Sequence, residues 1–231
     1  PLMRSLKRRN KNSVAFKAVI FDLDGTLVDS EPVWQQVLET IVQRFGKTFD
    51  PAFHASLLGT ERGETLRRVL ERFDLPASVD ELAPLYDPLF LELSSVKPPP
   101  AKPGADALVR LLQGASIPLA LATGSRHEVV DGVLKAHGWD AVFSAVVCGD
   151  DVAKGKPAPD TYIEVVRRLG CDGNDCVVLE DAENGVKSAK AAGLYVIGIS
   201  DPRYSVNLSS ADRIVAGLEE VNLSDLNAFV R

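Results

Sequence analysis

The chain has 231 residues, of which 45% are hydrophobic and 25% are charged, and its formal net charge is -6. This length allows a core domain with a smaller insert, and the composition is that of an ordinary globular protein rather than a disordered one. The acidic balance disfavours non-specific binding to nucleic acid. The sequence contains no run of about 18 uncharged apolar residues, so no membrane span is predicted.

The first 17 residues form a basic arm, in which every cation precedes the first acidic residue of the chain. These cations are Arg4, Lys7, Arg8, Arg9, Lys11 and Lys17. We interpret the arm as a solvated terminus, and a nucleic-acid-binding tail or the remnant of a transit peptide remain as alternatives.

The three cysteines, Cys148, Cys171 and Cys176, show no C-x-x-C spacing. An odd number without such spacing favours a reducing compartment, so we expect a cytoplasmic protein, with import into an organelle left open by the basic arm. Cys148 and Cys176 lie in apolar runs and are interpreted as core residues rather than nucleophiles.

Five short apolar runs predict buried parallel strands, namely residues 18–21, 117–122, 145–148, 176–179 and 195–199. Segments with helical periodicity begin at residues 105, 127, 160 and 184, and three of them stop near Gly138, Gly170 and Gly193. Alternation of strand and helix predicts a doubly wound, Rossmann-like α/β fold with a parallel sheet and right-handed crossovers.

One interval interrupts this alternation. Residues 31 to about 96 show helical patterns and no convincing strand, and the chain returns through the proline-rich segment 97–104. We therefore expect a small all-helical domain at 31–102, inserted into an α/β core made of 18–30 and 103–231.

Polar side chains follow four of the predicted strands. Asp22 and Asp24 follow the first strand, the sequence Thr123-Gly124-Ser125 follows the second, and Glu180-Asp181 follows the fourth. Lys156 lies in the loop after the third strand. Ligands of an open α/β sheet bind beyond the carboxyl ends of its strands, so we expect these side chains to converge at one edge.

Four carboxylates at one edge need a compensating charge, because two of them at about 4 Å repel by roughly 4 kcal/mol at an effective dielectric constant near 20. Oxygen ligands without nearby cysteine or clustered histidine favour Mg²⁺ over zinc. Each residue alone also has a structural explanation: Asp181 as a helix N-cap, Thr-Gly-Ser as a turn, and Lys156 as a solvated lysine. The segment "KGKP" is not a phosphate loop, because five residues separate Gly149 from Gly155 and Pro157 replaces Ser or Thr.

The ordered segments "DLDGT", "ATGS", "KGKPAPD" and "LEDAENG" resemble the four motifs of the haloacid dehalogenase superfamily, and the resemblance spans residues 18 to about 200. The helical insert resembles the first type of cap domain in that family. The sequence is similar to the branch that contains sugar-phosphate phosphatases, pseudouridine-5'-phosphatase and β-phosphoglucomutase.

This resemblance implies a chemical role for each motif residue. Asp22 is expected to be the nucleophile that forms an aspartyl phosphate, and Asp24 to act as general acid and then general base. Thr123 and Lys156 are expected to hold the transferring phosphoryl group. The implied Mg²⁺ ligands are Asp22, the backbone carbonyl of Asp24, Asp181 and, nearby or through water, Glu180.

The resemblance also suggests contacts to the substrate. Segment 57–65 is similar to the specificity loop of this cap type, and Arg62 falls where related enzymes place a substrate-contacting arginine. Further candidates for substrate contact are Glu31, Gly124, Ser125, Arg126 and Asn184. Arg62, Glu31 and Asn184 could equally be helix-start residues, and His54, His127 and His137 are expected at the surface.

The expected function is Mg²⁺-dependent hydrolysis of a small phosphorylated metabolite by a monomer, without a nucleic-acid or membrane partner. A phosphosugar mutase is the alternative, but Trp34 stands where that branch has histidine and Thr26 where it commonly has valine. Asp24 argues against a dehalogenase. A signalling receiver domain would be shorter and would have its acids in a different order.

Overall fold

The computed structural model describes residues 16–223 and Leu226, so most of the basic arm lies outside the described residues. Within them, six parallel strands form one sheet in the order β3-β2-β1-β4-β5-β6. The strands are β1 (Ala18–Phe21), β2 (Leu119–Ala122), β3 (Ala145–Val147), β4 (Cys176–Glu180), β5 (Tyr195–Ile199) and β6 (Arg213–Val215). The predicted doubly wound, Rossmann-like α/β fold is confirmed.

Strand β1 lies at the centre, where Val19 pairs with Leu119 of β2 on one side and with Val177 of β4 on the other. The chain builds outward from β1 through β2 and β3, and then crosses to β4 and builds outward in the other direction. The strand order therefore reverses between β1 and β4, and a ligand of this fold binds at that switch point.

Helices cover both faces of the sheet, which explains why the strands are continuous apolar runs. These helices are α5 (Ala105–Gly114), α6 (His127–His137), α7 (Asp160–Leu169) and α8 (Glu183–Ala191). Alternate residues of β1 enter different cores: Val19 and Phe21 pack in one cluster, and Ala18 and Ile20 in the other.

Residues 31–102, between β1 and α5, form helices and no strand among the described residues, and we call this segment the helical insert. Its helices are α1 (Glu31–Arg44), α2 (Pro51–His54), α3 (Arg62–Phe73) and α4 (Val79–Val96). The indole of Trp34 on α1 stacks on Tyr86 of α4, with ring centroids 4.7 Å apart, and packs at a tilt against Phe90, with centroids 4.1 Å apart. Ser78 and Glu81 form a capping box that begins α4.

The two chain segments that connect the insert to the core run side by side. Val28 forms an antiparallel bridge with Ala101. A cluster of four charged residues then ties both segments to the loop after β5: Lys102 contacts Asp201 at 2.6 Å, and Arg203 contacts Asp29 at 2.8 and 2.9 Å. We call Asp29, Lys102, Asp201 and Arg203 the connection cluster.

The structure differs from the sequence-based expectation in its outermost strand. Strand β6 was not predicted because it has three residues, begins with Arg213 and leaves Ile214 51% exposed. Such a short, partly polar segment at the edge of a sheet lacks the apolar run that marks the inner strands. Every helix among the described residues is too short or too polar to cross a bilayer.

Candidate active site

A cavity of about 390 Å³ lies at the carboxyl ends of the central strands, between the sheet and the helical insert. All the site residues predicted from the sequence line this cavity. They are Asp22, Asp24, Glu31, Arg62, Thr123, Gly124, Ser125, Arg126, Lys156, Glu180, Asp181 and Asn184. The topology therefore brings the four motifs together, as the switch-point geometry requires.

Asp22 and Lys156 form a buried ion pair at the base of the cavity. The Lys156 ammonium donates to Oδ1 of Asp22 at 2.6 Å, to Oε1 of Glu180 at 2.6 Å and to the carbonyl of Ala122 at 3.0 Å. Burial lowers the pKa of Lys156, but the two carboxylates outweigh it and hold that pKa well above its ordinary value. Burial raises the pKa of Asp22 to about 8, although Lys156 opposes this rise. Lys156 is therefore a charged partner for both acids.

Glu180 is fully buried, and both of its carboxylate oxygens accept hydrogen bonds. Besides Lys156, Oε1 accepts from the hydroxyl of Tyr162 at 3.0 Å, and Oε2 accepts from the backbone N–H of Ala182 at 3.0 Å. Gly185 on α8 faces the same carboxylate, and a methyl group at that position would overlap it. Tyr162 was not predicted as a site residue, because the pattern of α7 marks it only as a core position.

The carboxylate of Asp24 is held by donors from both the insert and the core. Oδ1 accepts from Ser30 Oγ at 2.6 Å and from Trp34 Nε1 at 3.2 Å. Oδ2 accepts from Ser125 Oγ at 2.6 Å and from Thr123 Oγ1 at 3.4 Å. These contacts fix the orientation of Asp24, which lies two residues after Asp22.

Three carboxyl groups at the base of the cavity, two of them bonded to Lys156, fit a hard divalent cation. One oxygen each of Asp22, Glu180 and Asp181 lie within 4.8 Å of one another. Burial, with the added effect of Glu180 and Asp22, raises the pKa of Asp181 well above its ordinary value. Thr26 donates to Oδ1 of Asp181 at 2.8 Å and orients it. The donors are all oxygen atoms, which is the ligand set that Mg²⁺ prefers.

The expectation that all three histidines lie at the surface was wrong for His54. This side chain lines the cavity and is 6% exposed, and its Nε2 contacts Glu31 at 2.9 Å. Its Nδ1 is buried without a partner among the described residues. His127 contacts Asp151 at 3.0 Å and is 43% exposed, so it lies near the surface. Its other ring nitrogen is 3.4 Å from the thiol of Cys148, a core residue.

The wall formed by the insert carries an ion pair that sequence reasoning missed. Arg62 begins α3, and its guanidinium contacts Asp87 of α4 at 2.5 Å. Across the cavity, Nε of Arg126 lies 3.9 Å from Asp87 and 3.7 Å from Asp150. Burial raises the pKa of Asp87 above its ordinary value, although Arg62 and Arg126 oppose this rise. The periodicity of α4 gave no sign of Asp87, because its partners are remote in sequence.

The insert also touches the start of α8, the helix that follows β4. The side-chain amide of Asn184 donates to the carbonyl of Gly59 at 2.8 Å. Gly59 has a φ of +68°, and a Cβ there would lie 3.0 Å from the Cβ of Ala182. The insert is therefore closed over the sheet edge in this structure.

Comparison with known proteins gives one family. The sequence profile of the haloacid dehalogenase-like hydrolases matches residues 16–193. A bifunctional riboflavin kinase/FMN phosphatase from Arabidopsis thaliana is 35% identical over 208 residues, which is 89% of this chain and 54% of that protein. The chain thus spans about half the length of that relative.

Two further similarities cover nearly the whole of each protein. A probable pseudouridine-5'-phosphatase from Drosophila melanogaster is 32% identical over 208 residues, covering 87% of this chain and 89% of the relative. The crystal structure of a CbbY variant from Rhodobacter sphaeroides, in complex with xylulose-(1,5)bisphosphate, superposes with a TM-score of 0.83. Its sequence is 27% identical, and the match covers 92% of this chain and 99% of that one.

Proposed function

Because this chain belongs to the haloacid dehalogenase-like hydrolase family, we propose that it is a Mg²⁺-dependent phosphatase that hydrolyses a small phosphate monoester. The observation that carries the proposal is the arrangement of the two acids after β1. Asp22 is paired with a buried ammonium, and Asp24 is oriented separately by four hydroxyl and indole donors. Two carboxyl groups in different surroundings can perform two different roles at the same phosphorus atom.

We propose the following sequence of bond changes. A carboxylate oxygen of Asp22 attacks phosphorus, and the bond from phosphorus to the substrate oxygen breaks, which leaves an aspartyl phosphate. Asp24 gives its proton to the departing oxygen and later takes a proton from the water that attacks the intermediate. That second step releases inorganic phosphate and restores Asp22.

Lys156 and Thr123 support this chemistry from the core. Lys156 is positioned by Glu180, so its charge can balance both the Asp22 carboxylate and an incoming phosphoryl oxygen. Thr123 is 1% exposed and accepts the backbone N–H of Ser125 at 3.1 Å, which holds its hydroxyl at the strand end. These preorganised donors stabilise charge that develops on the phosphoryl oxygens.

Asp22, the backbone carbonyl of Asp24 and Asp181 are the proposed ligands of Mg²⁺, with Glu180 behind them. Bound there, the ion would neutralise charge on the phosphoryl group and offset repulsion among the acids. Glu180 is the weakest of the four candidates, because Lys156, Tyr162 and the Ala182 N–H already occupy its oxygens.

The helical insert, which we propose acts as a cap domain over residues 31–102, excludes water from the cavity when it is closed. Asn184 and Gly59 join the insert to the core, and the connection cluster stands where the chain enters and leaves the insert. Cap movement of this kind admits the substrate and then isolates the reacting groups from solvent.

The test is turnover of p-nitrophenyl phosphate. The purified protein should release p-nitrophenol with Mg²⁺ and stop when EDTA is added. Asp22→Asn should lose at least about 1,000-fold in kcat, because it removes the nucleophile. Asp74→Asn is the matched control: Asp74 is exposed at the end of α3, in a left-handed conformation that asparagine adopts readily. Undiminished activity in Asp22→Asn would contradict the proposal.

A panel of sugar, sugar-alcohol and nucleoside monophosphates identifies the substrate and separates two enzymes. Release of inorganic phosphate indicates the phosphatase, and isomerisation of a sugar phosphate indicates a mutase. The hydrogen bond from Trp34 to Asp24 favours the phosphatase, because an indole N–H cannot take or give the proton that a histidine at this position could transfer.

A further inference from the structure

The charges that line the cavity are strongly unbalanced toward acids. Ten acidic and five Lys or Arg side chains line it among the described residues. One phosphoryl group has a clear place beside Lys156 and the proposed Mg²⁺ ligands. A second phosphate on the same substrate would add about two negative charges to a cavity that is already acidic.

Each of the five basic side chains is already paired with a carboxylate. Lys156 contacts Asp22 and Glu180, and Lys102 and Arg203 belong to the connection cluster. The remaining two, Arg62 and Arg126, are paired with Asp87 and Asp150. A second phosphate would therefore have to displace a carboxylate from its partner.

Asp87 is the decisive member of this set. Its side chain contacts Arg62 at 2.5 Å and Arg126 at 3.9 Å, so one carboxylate faces both guanidinium groups of the insert–core boundary. The residue is only 8% exposed and its carboxylate accepts a hydrogen bond from Arg62, so the carboxylate is held in place rather than free to turn into solvent. Without it, Arg62 would offer the forked donor geometry that binds phosphate well.

We infer that Asp87 is a specificity-determining residue that neutralises Arg62 and restricts the cavity to monoesters whose leaving group carries no second phosphate. The inference rests on the proposed phosphatase function and names the substrate class: polyol, sugar or nucleoside monophosphates with a neutral remainder. The similar CbbY structure, by contrast, holds xylulose-(1,5)bisphosphate, a ligand with two phosphates.

The experiment compares xylulose-5-phosphate with xylulose-1,5-bisphosphate, which differ by one phosphate. The measured quantity is the ratio of kcat/KM for the bisphosphate to kcat/KM for the monophosphate. This ratio should be below about 0.1 in the wild type, and Asp87→Asn should raise it by roughly tenfold or more, because repulsive charges exclude the wrong ligand. The double variant Asp87→Asn with Arg62→Met should lose that gain.

Two further variants separate specificity from folding. Arg62→Met alone leaves Asp87 without its closest partner and should lower the ratio further, which keeps the inference testable if Asp87→Asn does not fold. Glu71→Gln removes an exposed acid from α3 outside the cavity and outside segment 57–65, and it should match the wild type on both substrates. A wild-type ratio above one, or an equal loss on both substrates in Asp87→Asn, would overturn the inference.

Binding measurements distinguish a failure of the inference from a failure of the proposed function. Calorimetry on Asp22→Asn, with and without Asp87→Asn, gives the affinity ratio of the two ligands without turnover. If the wild type hydrolyses no phosphate ester, the phosphatase proposal fails. The inference about Asp87 is then upheld by a roughly tenfold shift of the affinity ratio toward the bisphosphate, and overturned by an unchanged ratio.

Discussion

The indole nitrogen of Trp34 donates a hydrogen bond of 3.2 Å to Oδ1 of Asp24, which connects the insert to the acid that follows β1. The Trp34 ring itself stacks on Tyr86 and packs at a tilt against Phe90. The orientation of Asp24 therefore depends on aromatic packing inside the insert, as well as on Ser30, Thr123 and Ser125.

Trp34→Phe keeps an aromatic ring in the stack and removes the donor. We expect kcat to fall by about tenfold on alkyl phosphates, since one hydrogen bond to a charged group contributes roughly 1.5 kcal/mol or more. The loss on p-nitrophenyl phosphate should be smaller, because p-nitrophenolate leaves without help from a general acid. Steady-state kinetics on the two substrates measures the difference.

Trp139→Phe is the matched control for this prediction. Trp139 also donates its indole N–H to a carboxylate, Oδ1 of Asp106 at 3.1 Å, but neither residue lines the cavity. Removal of the Trp139 indole N–H should reduce stability and leave the ratio of kcat on alkyl phosphates to kcat on p-nitrophenyl phosphate unchanged. An equal loss on both substrates in Trp34→Phe would contradict a specific role in orienting Asp24.

Gly185 provides a steric test of the site. In an ordinary helix position, glycine-to-alanine substitution stabilises by up to about 1 kcal/mol. A methyl group at Gly185 would overlap the Glu180 carboxylate, so we expect Gly185→Ala to lower the free energy of unfolding by about 2 kcal/mol. Because Glu180 orients Lys156, kcat should fall as well. Urea denaturation and kinetics measure both effects.

Gly114→Ala supplies the comparison, because Gly114 ends α5 and a Cβ there meets no atom within 4 Å. This variant should be as stable as the wild type or slightly more stable, with full activity. If Gly185→Ala were equally stable and active, the expected overlap between its methyl group and the Glu180 carboxylate would be contradicted.

The connection cluster makes stability depend on pH. Hydrogen bonds from Arg203 and Lys102 hold the pKa of Asp201 well below its usual range, and its side chain is 12% exposed. A lowered folded-state pKa contributes stability that is present above the ordinary pKa of about 4 and is lost as the pH falls below it. We expect Asp201→Asn to cost about 2 kcal/mol at pH ~7.

The difference in free energy of unfolding between Asp201→Asn and the wild type should be smaller at pH ~3, where Asp201 of the unfolded chain is protonated. Urea denaturation at the two pH values measures this difference. Lys102→Met removes a partner instead of the acid and should show the same narrowing. An equal difference in free energy of unfolding at both pH values would mean that packing, rather than charge, accounts for the lower stability of the variant.

The apolar runs predicted five strands and the fold class because buried parallel strands have a simple sequence pattern. Strand β6 was not predicted, because Arg213 and the exposed Ile214 interrupt the apolar pattern at the sheet edge. The convergence of the motif residues followed from topology alone. Their chemical roles remain predictions that the proposed variants test.

The side-chain partnerships could not be predicted in the same way. Arg62 and Asp87 are 25 residues apart, His54 and Glu31 are 23 apart, and Tyr162 and Glu180 are 18 apart. Each pair depends on how two helices, or a helix and a strand, that are separated in the sequence pack against each other. A sequence pattern reports which face of an element is apolar, but it does not report which polar residue another element brings to that face.

The shared ammonium of Lys156 has a consequence for partly folded forms. Its contacts reach 134 residues back to Asp22 and 24 residues forward to Glu180, and Thr26 reaches Asp181 across 155 residues. No short fragment of the described chain contains all of these partners, so an excised peptide or a locally unfolded sheet would bind neither metal nor phosphate. Enzymatic activity thus reports the integrity of the whole core, and partial unfolding would abolish it rather than weaken it.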